Sequence, residues 1–197
     1  MPPEEALAGN RRGFVHLGDE QQFHGWRISV VDASFRDPDG EVFHRDIVRH
    51  PGAVAVVPVT DDGKAVLVRQ YRGAVDRWLL EIPAGTRDVD GEAPAVTAGR
   101  ELEEEAGLTA GSVEHLATIY NTPGFCDEET LMYLATALSP ATSARHGPEE
   151  QHIEVVEVAL DDVNAMVASG ELTDAQTVIG LLLARARLSR NRSFAQG

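Results

Sequence analysis

Four glutamates stand within five positions in the sequence Arg100-Glu101-Leu102-Glu103-Glu104-Glu105-Ala106-Gly107-Leu108. The pattern predicts a helix over 92–106 that ends at Gly107, because glycine commonly follows the last turn of a helix. A helix turns by about 100° per residue, so three carboxylates share one sector of its surface: those of Glu101, Glu104 and Glu105. Glu103 lies on the other side, and Leu102 centres a narrow stripe of small apolar residues that favours close packing on a sheet.

The shared acidic sector has two interpretations. Like charges at these spacings oppose a helix by a few tenths of a kcal/mol per pair, and acidic helix faces are commonly just solvated. Alternatively, the carboxylate oxygens suit a hard cation such as Mg2+, which also leaves room for substrate phosphates. Arg100 precedes Glu104 by one helical turn, where it could hold the carboxylates in place as a supporting residue.

The composition is that of an ordinary globular chain, with 43% of its 197 residues apolar and 25% charged. Acidic residues number 32 against 17 basic ones, which gives a formal net charge of −15. The chain lacks the basic surface of nucleic-acid-binding proteins, and anionic membranes would repel it. We therefore expect neither a nucleic acid nor a membrane as partner. A divalent cation is the obvious means of bringing an anionic substrate to such a chain.

Cysteine content and terminal sequence favour a cytoplasmic protein. Cys126 is the one cysteine in the sequence, which excludes an internal disulfide and a cysteine-based zinc site. The first ten residues lack the basic and apolar regions of a signal peptide. No apolar run approaches the roughly 18 residues of a membrane helix. As a nucleophile, Cys126 would need a positioned base, and we interpret it as an incidental loop thiol.

The order of predicted elements indicates an α+β fold or a mixed α/β sandwich. Two antiparallel hairpins are expected, the first over 26–35 and 41–48 and the second over 53–60 and 64–71, because turn residues separate β-rich runs. Further strands are predicted at 78–83, 114–120, 130–138 and 153–160, and helices at 161–168 and 174–188. Strands, one central helix, more strands and final helices do not give the alternation of a doubly wound sheet.

The acidic helix and the residues before it resemble the Nudix box, G-x5-E-x7-R-E-U-x-E-E-x-G-U, where U is aliphatic. Gly85, Glu92 and the stretch from Arg100 to Leu108 supply every fixed residue of this pattern. Six residues rather than five separate Gly85 from Glu92, and the addition falls in the loop before the helix, where insertions are tolerated. The resemblance implies a Nudix α/β/α sandwich with a mixed sheet and a small N-terminal antiparallel β-sheet.

Two further segments resemble the ADP-ribose pyrophosphatases of this family. Trp78-Leu79-Leu80-Glu81-Ile82-Pro83-Ala84-Gly85 is similar to their strand and Pro-Ala-Gly turn, and Thr122-Pro123-Gly124-Phe125-Cys126-Asp127-Glu128 is similar to their Pro-Gly-Phe-Ser-Asp-Glu loop. The resemblance implies Mg2+-dependent hydrolysis of ADP-ribose to AMP and ribose 5-phosphate, with Mn2+ as a possible substitute. Two alternatives stay open. One is another nucleoside diphosphate sugar or a dinucleotide as substrate, and the other is a non-catalytic domain that senses ADP-ribose.

The resemblance also implies roles for individual residues. The principal metal ligands would be Glu101 and Glu105, and Glu104 and the backbone carbonyl of Ala84 would complete the site. Glu104 and Arg100 count among the catalytic residues. Because metal-bound carboxylates are poor bases, the expected general base is Glu128, and the neighbouring Glu129 is the alternative.

Substrate contacts are expected from two arginines, one acid and two aromatic residues: Arg72, Arg77, Glu81, Trp26 and Phe125. The segment Gln70-Tyr71-Arg72 resembles one that supplies a phosphate- or ribose-contacting arginine, and a surface salt bridge is the alternative for Arg72. Aromatic faces suit bases, so Trp26 could stack on adenine, although a tryptophan in an amphipathic strand is more often a core residue.

The expected domain organisation has three parts. Residues 1–50 would form an N-terminal β subdomain and dimerisation element, residues 51–190 the Nudix hydrolase domain, and residues 191–197 a flexible tail. The homodimer, in which the N-terminal sheet is swapped in similar enzymes, is implied by the resemblance and not by any spacing in this sequence.

Overall fold

The computed structural model describes residues 12–142 and 150–194 of the chain. Their contacts divide them into two units. The smaller unit comprises residues 12–51 together with the later segment Thr122–Glu128, and the larger unit comprises the other described residues.

The smaller unit contains a three-stranded antiparallel sheet, in the order β1 (Val15–His24), β2 (Ser29–Arg36) and β3 (Val42–Arg49). The predicted first hairpin is confirmed, since β2 and β3 pair across the turn at 37–41. The Asp37 carboxylate closes this turn by accepting hydrogen bonds from the backbone N–H groups of Asp39 and Glu41. Sequence analysis missed β1, which is exposed along its whole length and therefore lacks the buried face that makes a strand recognisable.

The larger unit is built on a four-stranded mixed sheet. Its order is β7 (Ala84–Thr86), β4 (Ala53–Pro58), β9 (Glu129–Pro140) and β8 (Leu108–Tyr120). Strands β4 and β9 run parallel, while the other pairs are antiparallel. The mixed sheet and the separate antiparallel N-terminal sheet agree with the predicted fold class.

Helices cover both faces of this sheet and make it a three-layer sandwich. On one face, Val54 and Val56 of β4 pack with Leu102 of helix α1 (Pro94–Ala106). On the other face, Ala55 and Val57 pack with Leu181 of a C-terminal helix. Alternate residues of a strand point to opposite faces, so β4 is buried throughout and needs apolar residues at every position.

The larger unit contains a second sheet, and this sheet includes one strand of the predicted second hairpin without the other. Its order is β10 (Glu154–Ala159), β5 (Lys64–Arg72) and β6 (Arg77–Glu81). Strands β4 and β5 were expected to pair along their length, and this is wrong, because they belong to different sheets and meet at a single bridge between Val59 and Ala65. Each strand instead has partners on both of its edges, which the turn sequence between them could not reveal.

The chain ends in two helices, α2 (Val163–Ser169) and α3 (Ala175–Phe194). Helix α3 continues beyond its predicted end at position 188 and through 191–194, the first part of the expected tail, while residues 195–197 lie outside the described residues. Within the two described ranges, no helix combines the length and apolar character needed to cross a lipid bilayer.

Candidate active site

Helix α1 directs its acidic residues to different environments. Glu101 and Glu105 are buried, with 9% and 5% of their surface exposed, while Glu103 is exposed and Glu104 is intermediate. The helix ends at Gly107 in the left-handed conformation, with φ of 67°, as predicted. The exposure of Glu103 beside the burial of Glu101 and Glu105 agrees with the predicted position of Glu103 on the other side of the helix. Burying two carboxylates is costly unless they gain hydrogen bonds or positive charge.

One carboxylate oxygen of Glu105 accepts a hydrogen bond from the neighbouring backbone. The N–H of Ala84 donates a hydrogen bond to Glu105 Oε2 at 3.0 Å. Ala84 begins β7 and pairs with Ala55 of the central strand, and the carbonyl of Pro83 accepts a hydrogen bond from Val56 N–H. The structure thus brings together two of the predicted metal ligands, Glu105 and Ala84, at the start of a strand that pairs with β4.

Glu101 lies against Gly85, the next residue of the same strand. A Cβ atom at Gly85 would overlap the Glu101 carboxylate. Glycine is therefore required at position 85 for close approach, since any side chain would displace the carboxylate or the turn. Gly85 and Glu101, two of the residues of the sequence pattern quoted above, therefore pack directly against each other.

Arg100 connects the acidic residues of the helix. Its Nη1 lies 2.9 Å from Glu101 Oε1 and 3.0 Å from Glu104 Oε2, and its Nη2 lies 3.6 Å from Glu92 Oε2. Burial opposes the charge of Arg100, but the charges of the three glutamates outweigh this effect and raise its pKa. The contacts are those that a residue holding the carboxylates in place would make.

The donor set fits a hard divalent cation. The charged residues around the α1 face and the β6–β7 connection include more carboxylates than guanidinium groups: Glu81, Glu92, Glu101, Glu104, Glu105 and Asp174 beside Arg72 and Arg100. The excess of carboxylate oxygen matches the ligand preference of Mg2+. Across residues 12–142 and 150–194, no three acidic, histidine or cysteine side chains already converge as a metal site. Glu101 and Glu104 instead pair with Arg100, so a cation would compete with this arginine for them.

Arg72 and Glu81 form a forked ion pair between adjacent strands. Arg72 Nε lies 3.0 Å from both carboxylate oxygens of Glu81. The Glu81 side chain is 4% exposed and that of Arg72 is 40% exposed. Burial opposes the charge of Arg72, but the hydrogen bond and charge of Glu81, with the charges of Glu105 and Asp174, raise its pKa. The structure therefore shows the salt bridge considered for Arg72, and the partly exposed guanidinium still presents positive charge.

Arg77 lies opposite Arg72 in the pairing of β5 with β6 and is exposed. Two positive charges directly across a strand pair repel each other, and Glu81 neutralises only Arg72 in this arrangement. The exposed end of this sheet is accordingly suited to an anion, which is the environment expected of a phosphate-binding pair.

Sequence analysis missed Thr177, which is completely buried. Its hydroxyl accepts a hydrogen bond from Ile82 N–H at 3.0 Å and donates one to Asp174 Oδ2 at 2.7 Å. These bonds join the first turn of α3 to the backbone between Glu81 and Ala84. The available signal was Asp174 three residues before Thr177, a spacing typical of a helix N-terminus, although nothing local indicates the bond to Ile82.

Three predicted site residues belong to the smaller unit. Trp26 is 91% exposed, with the Arg27 guanidinium 4.7 Å from its ring centroid, which rules out the core alternative within this unit. Phe125 is also exposed, and Glu128 is partly buried. Glu129, the alternative base, begins β9 in the larger unit, and its Oε1 accepts a hydrogen bond from the Tyr120 hydroxyl at 3.5 Å.

Comparison with protein families agrees with the site's location. The sequence pattern described as the NUDIX domain matches residues 49–178. This range contains the acidic helix, the β6–β7 turn, the loop with Glu128 and the first turn of α3.

Individual relatives match across most of the chain. An ADP-ribose pyrophosphatase from Bacillus subtilis is 42% identical, with 84% of this chain and 89% of the relative covered. A methanol dehydrogenase activator from Bacillus methanolicus is 38% identical, with 82% and 87% covered. An ADP-ribose pyrophosphatase from Mycobacterium tuberculosis is also 38% identical, with 88% and 84% covered.

The fold matches a solved structure. A crystal structure of an ADP compounds hydrolase superposes with a TM-score of 0.77, covering 90% of this chain and 95% of the other, at 22% sequence identity. This similarity supports the three-layer architecture and the placement of the acidic helix on its sheet.

Proposed function

The chain belongs to the Nudix hydrolase family, and we propose that it hydrolyses the pyrophosphate bond of ADP-ribose to AMP and ribose 5-phosphate in the presence of Mg2+. The observation that carries this proposal is the arrangement of Glu101 and Glu105, two buried carboxylates that lie against Ala84 and Gly85 of β7. The high identity to an ADP-ribose pyrophosphatase over 84% of the chain supports the choice of substrate.

The acidic helix supplies the metal-binding groups of the proposed reaction. Glu101, Glu104, Glu105 and the carbonyl of Ala84 would hold Mg2+, which when bound neutralises phosphate charge and orients a water molecule. Arg100 keeps the carboxylates in place through its contacts with Glu101 and Glu104. Mn2+, which also accepts oxygen ligands, is the expected substitute.

Glu128 is proposed as the general base. A carboxylate oxygen of Glu128 would accept the proton of the water molecule that attacks phosphorus. Glu128→Gln is expected to lower kcat by roughly 10²–10⁴-fold and to leave KM largely unchanged, because a general base contributes to the transition state. Steady-state kinetics with ADP-ribose would check this, and a loss below tenfold would move the role to Glu129 or a box carboxylate.

Arginines and exposed aromatic side chains are proposed to bind the substrate. Arg72 and Arg77 provide positive charge for the diphosphate, and Glu81 holds Arg72 in a fixed orientation. Trp26 and Phe125 expose aromatic surface of the type that stacks on adenine.

We assign residues 1–50 to a dimerisation element and residues 51–190 to the catalytic domain. We also propose that the protein is cytoplasmic. The N-terminal sheet and the residues beside its strands expose seven large apolar side chains: Phe14, Val15, Leu17, Phe23, Trp26, Ile28 and Val42. Exposed apolar patches of this kind commonly mark protein–protein contacts, and a second copy of this chain is the proposed occupant. Light scattering during gel filtration would give the mass of a dimer, and a monomer at micromolar concentration would refute the assignment.

A substrate panel tests the proposed activity. ADP-ribose, GDP-mannose and NADH would be compared with Mg2+, with Mn2+ and with excess chelator. The proposal predicts that ADP-ribose has the highest kcat/KM and that chelator abolishes turnover. A preference for GDP-mannose or NADH would support the alternative substrates. Binding of ADP-ribose without any hydrolysis would support a sensing domain, although the intact carboxylates Glu101, Glu104 and Glu105 favour an enzyme.

A further inference from the structure

The loop that carries Glu128 is fixed to the end of strand β3. The N–H of Val48 donates a hydrogen bond to the carbonyl of Phe125 at 2.8 Å, and the N–H of Asp127 donates one to the carbonyl of Val48 at 3.2 Å. The N–H of His50 donates a third to Asp127 Oδ1 at 2.8 Å. Three bonds thus hold Phe125 and Asp127 to Val48 of the strand and to His50, the residue just after it.

Arg49 adds an ionic link at the same point. Its Nη1 donates to Asp127 Oδ2 at 3.0 Å, while its Nε and Nη2 each donate to Asp19 at 2.9 Å. The guanidinium therefore lies between the first strand of the sheet and the loop. The planar, two-point contact with Asp19 has geometric specificity and orients the third nitrogen, which reaches Asp127. Asp127, the loop end of this chain of contacts, is the residue immediately before Glu128.

We propose that Arg49 is a positioning residue for the hydrolytic reaction: by holding Asp127 against strand β3, it fixes the backbone from which Glu128 extends. The inference depends on the proposed role of Glu128 as general base. It adds that the placement of this base is determined by the N-terminal sheet. A general base acts only within hydrogen-bonding distance of the proton that it accepts, and a displacement of about 1 Å can cost about 100-fold in rate.

Arg49→Met removes the guanidinium while keeping an unbranched side chain. We expect kcat for ADP-ribose to fall by roughly 10- to 100-fold. KM should change less than kcat, because Phe125 is the one proposed substrate contact that lies in this loop. Arg49→Lys should restore part of the rate, since an ammonium group can contact one of the two aspartates. Arg36→Met is the matched control. Arg36 and Arg49 lie at opposite ends of the β2–β3 pairing, since Arg36 pairs with Val42 and Arg49 pairs with Ser29. The Arg36→Met variant therefore removes the same charge far from the loop and should retain wild-type kcat.

A double variant separates positioning from a general structural effect. If Arg49 acts through Glu128, Arg49→Met should have almost no further effect on kcat in a Glu128→Gln background. Equal proportional losses in both backgrounds would overturn the inference, as would an unchanged kcat in the single variant. Circular dichroism would establish that the variants fold, and Asp127→Asn offers a second way to weaken the contact if Arg49→Met does not fold.

Cys126 provides a readout that does not require turnover. It is the one cysteine of the chain, lies in the same loop and is partly buried. Loosening of the loop should make alkylation by iodoacetamide faster in Arg49→Met than in the wild type or Arg36→Met. An unchanged alkylation rate would overturn the inference even if kcat fell. A wild-type protein that does not hydrolyse ADP-ribose would instead refute the proposed function, and the positioning role with it, whatever the alkylation rates.

Discussion

Ala84 and Glu105 are joined by a hydrogen bond of 3.0 Å from the backbone N–H of Ala84 to the carboxylate of Glu105. The bond connects the turn after β6 to a helix that begins ten residues later at Pro94. It gives the buried carboxylate of Glu105 a backbone donor. Gly85, the next residue, leaves the space that the Glu101 carboxylate occupies. Two consecutive backbone residues therefore lie against the two most buried acids of the helix.

Gly85→Ala is predicted to impair the use of metal. Its Cβ would overlap the Glu101 carboxylate, and displacing a ligand or its support commonly costs about 10–100-fold in metal affinity. The Mg2+ concentration for half-maximal hydrolysis should rise by a factor of this order. Gly99→Ala is the control on α1, where an added Cβ meets no atom within 4 Å. It should keep the wild-type Mg2+ dependence and gain about 0.5–1 kcal/mol in stability. Identical metal dependence of both variants would contradict the assigned role of Gly85.

Thr177→Val is predicted to destabilise the larger unit. The substitution keeps the shape of the side chain but leaves the buried Ile82 N–H without its acceptor and removes the hydroxyl bonded to Asp174. An unsatisfied buried donor costs about 1–3 kcal/mol, which urea unfolding would measure. Thr177→Ser retains the hydroxyl and should keep wild-type activity with a smaller loss of stability. Equal stability of the valine variant and the wild type would show that this contact is dispensable.

Local signals accounted for the parts of the fold that were predicted correctly. The acidic helix, its end at Gly107 and the turn at 37–41 depend on residues close in sequence, and the structure has all three. The separation of β4 from β5 could not be predicted in this way. Both strands are largely buried, and such uniformly apolar strands do not reveal which edges they pair with.

The site was predictable in its helical part and less so elsewhere. The spacing of Glu101, Glu104 and Glu105 indicated a shared face, and the contacts of Arg100 with Glu101 and Glu104 agree with it. The hydrogen bond between Thr177 and Ile82 joins residues 95 positions apart in sequence, and that between Arg49 and Asp127 joins residues 78 positions apart. Contacts at such separation leave no periodic signal in one sequence. For the same reason, the sequence did not indicate that Thr122–Glu128 belongs with the N-terminal sheet.

Asp19→Asn is predicted to have a pH-dependent effect on stability. The hydrogen bond from Arg49 is the main cause that lowers the pKa of Asp19 below its ordinary value of 3.8. A carboxyl group with a lowered pKa stabilises the folded state above its unfolded pKa, and this contribution is lost as the pH falls through the folded value. The Tm of the variant should therefore be lower than that of the wild type at neutral pH, and the difference should shrink as the pH falls below the ordinary value of 3.8.

Thermal unfolding across a pH series would check this prediction. Asp46→Asn removes an acid from β3 of the same sheet and serves as the control for net charge. A Tm difference for Asp19→Asn that stays constant down to low pH, or one that the control reproduces, would contradict the assigned link to Arg49.

The most direct test of the proposed reaction is the Mg2+ dependence of ADP-ribose hydrolysis in Glu105→Gln and Glu103→Gln. Both variants remove one carboxylate from helix α1, but Glu105 is buried against Ala84 and Glu103 is exposed. Glu105→Gln should reduce turnover to the level seen with excess chelator at every Mg2+ concentration, while Glu103→Gln should follow the wild-type curve. Near-normal hydrolysis by Glu105→Gln at saturating Mg2+ would contradict the carboxylate site on which the proposed function rests.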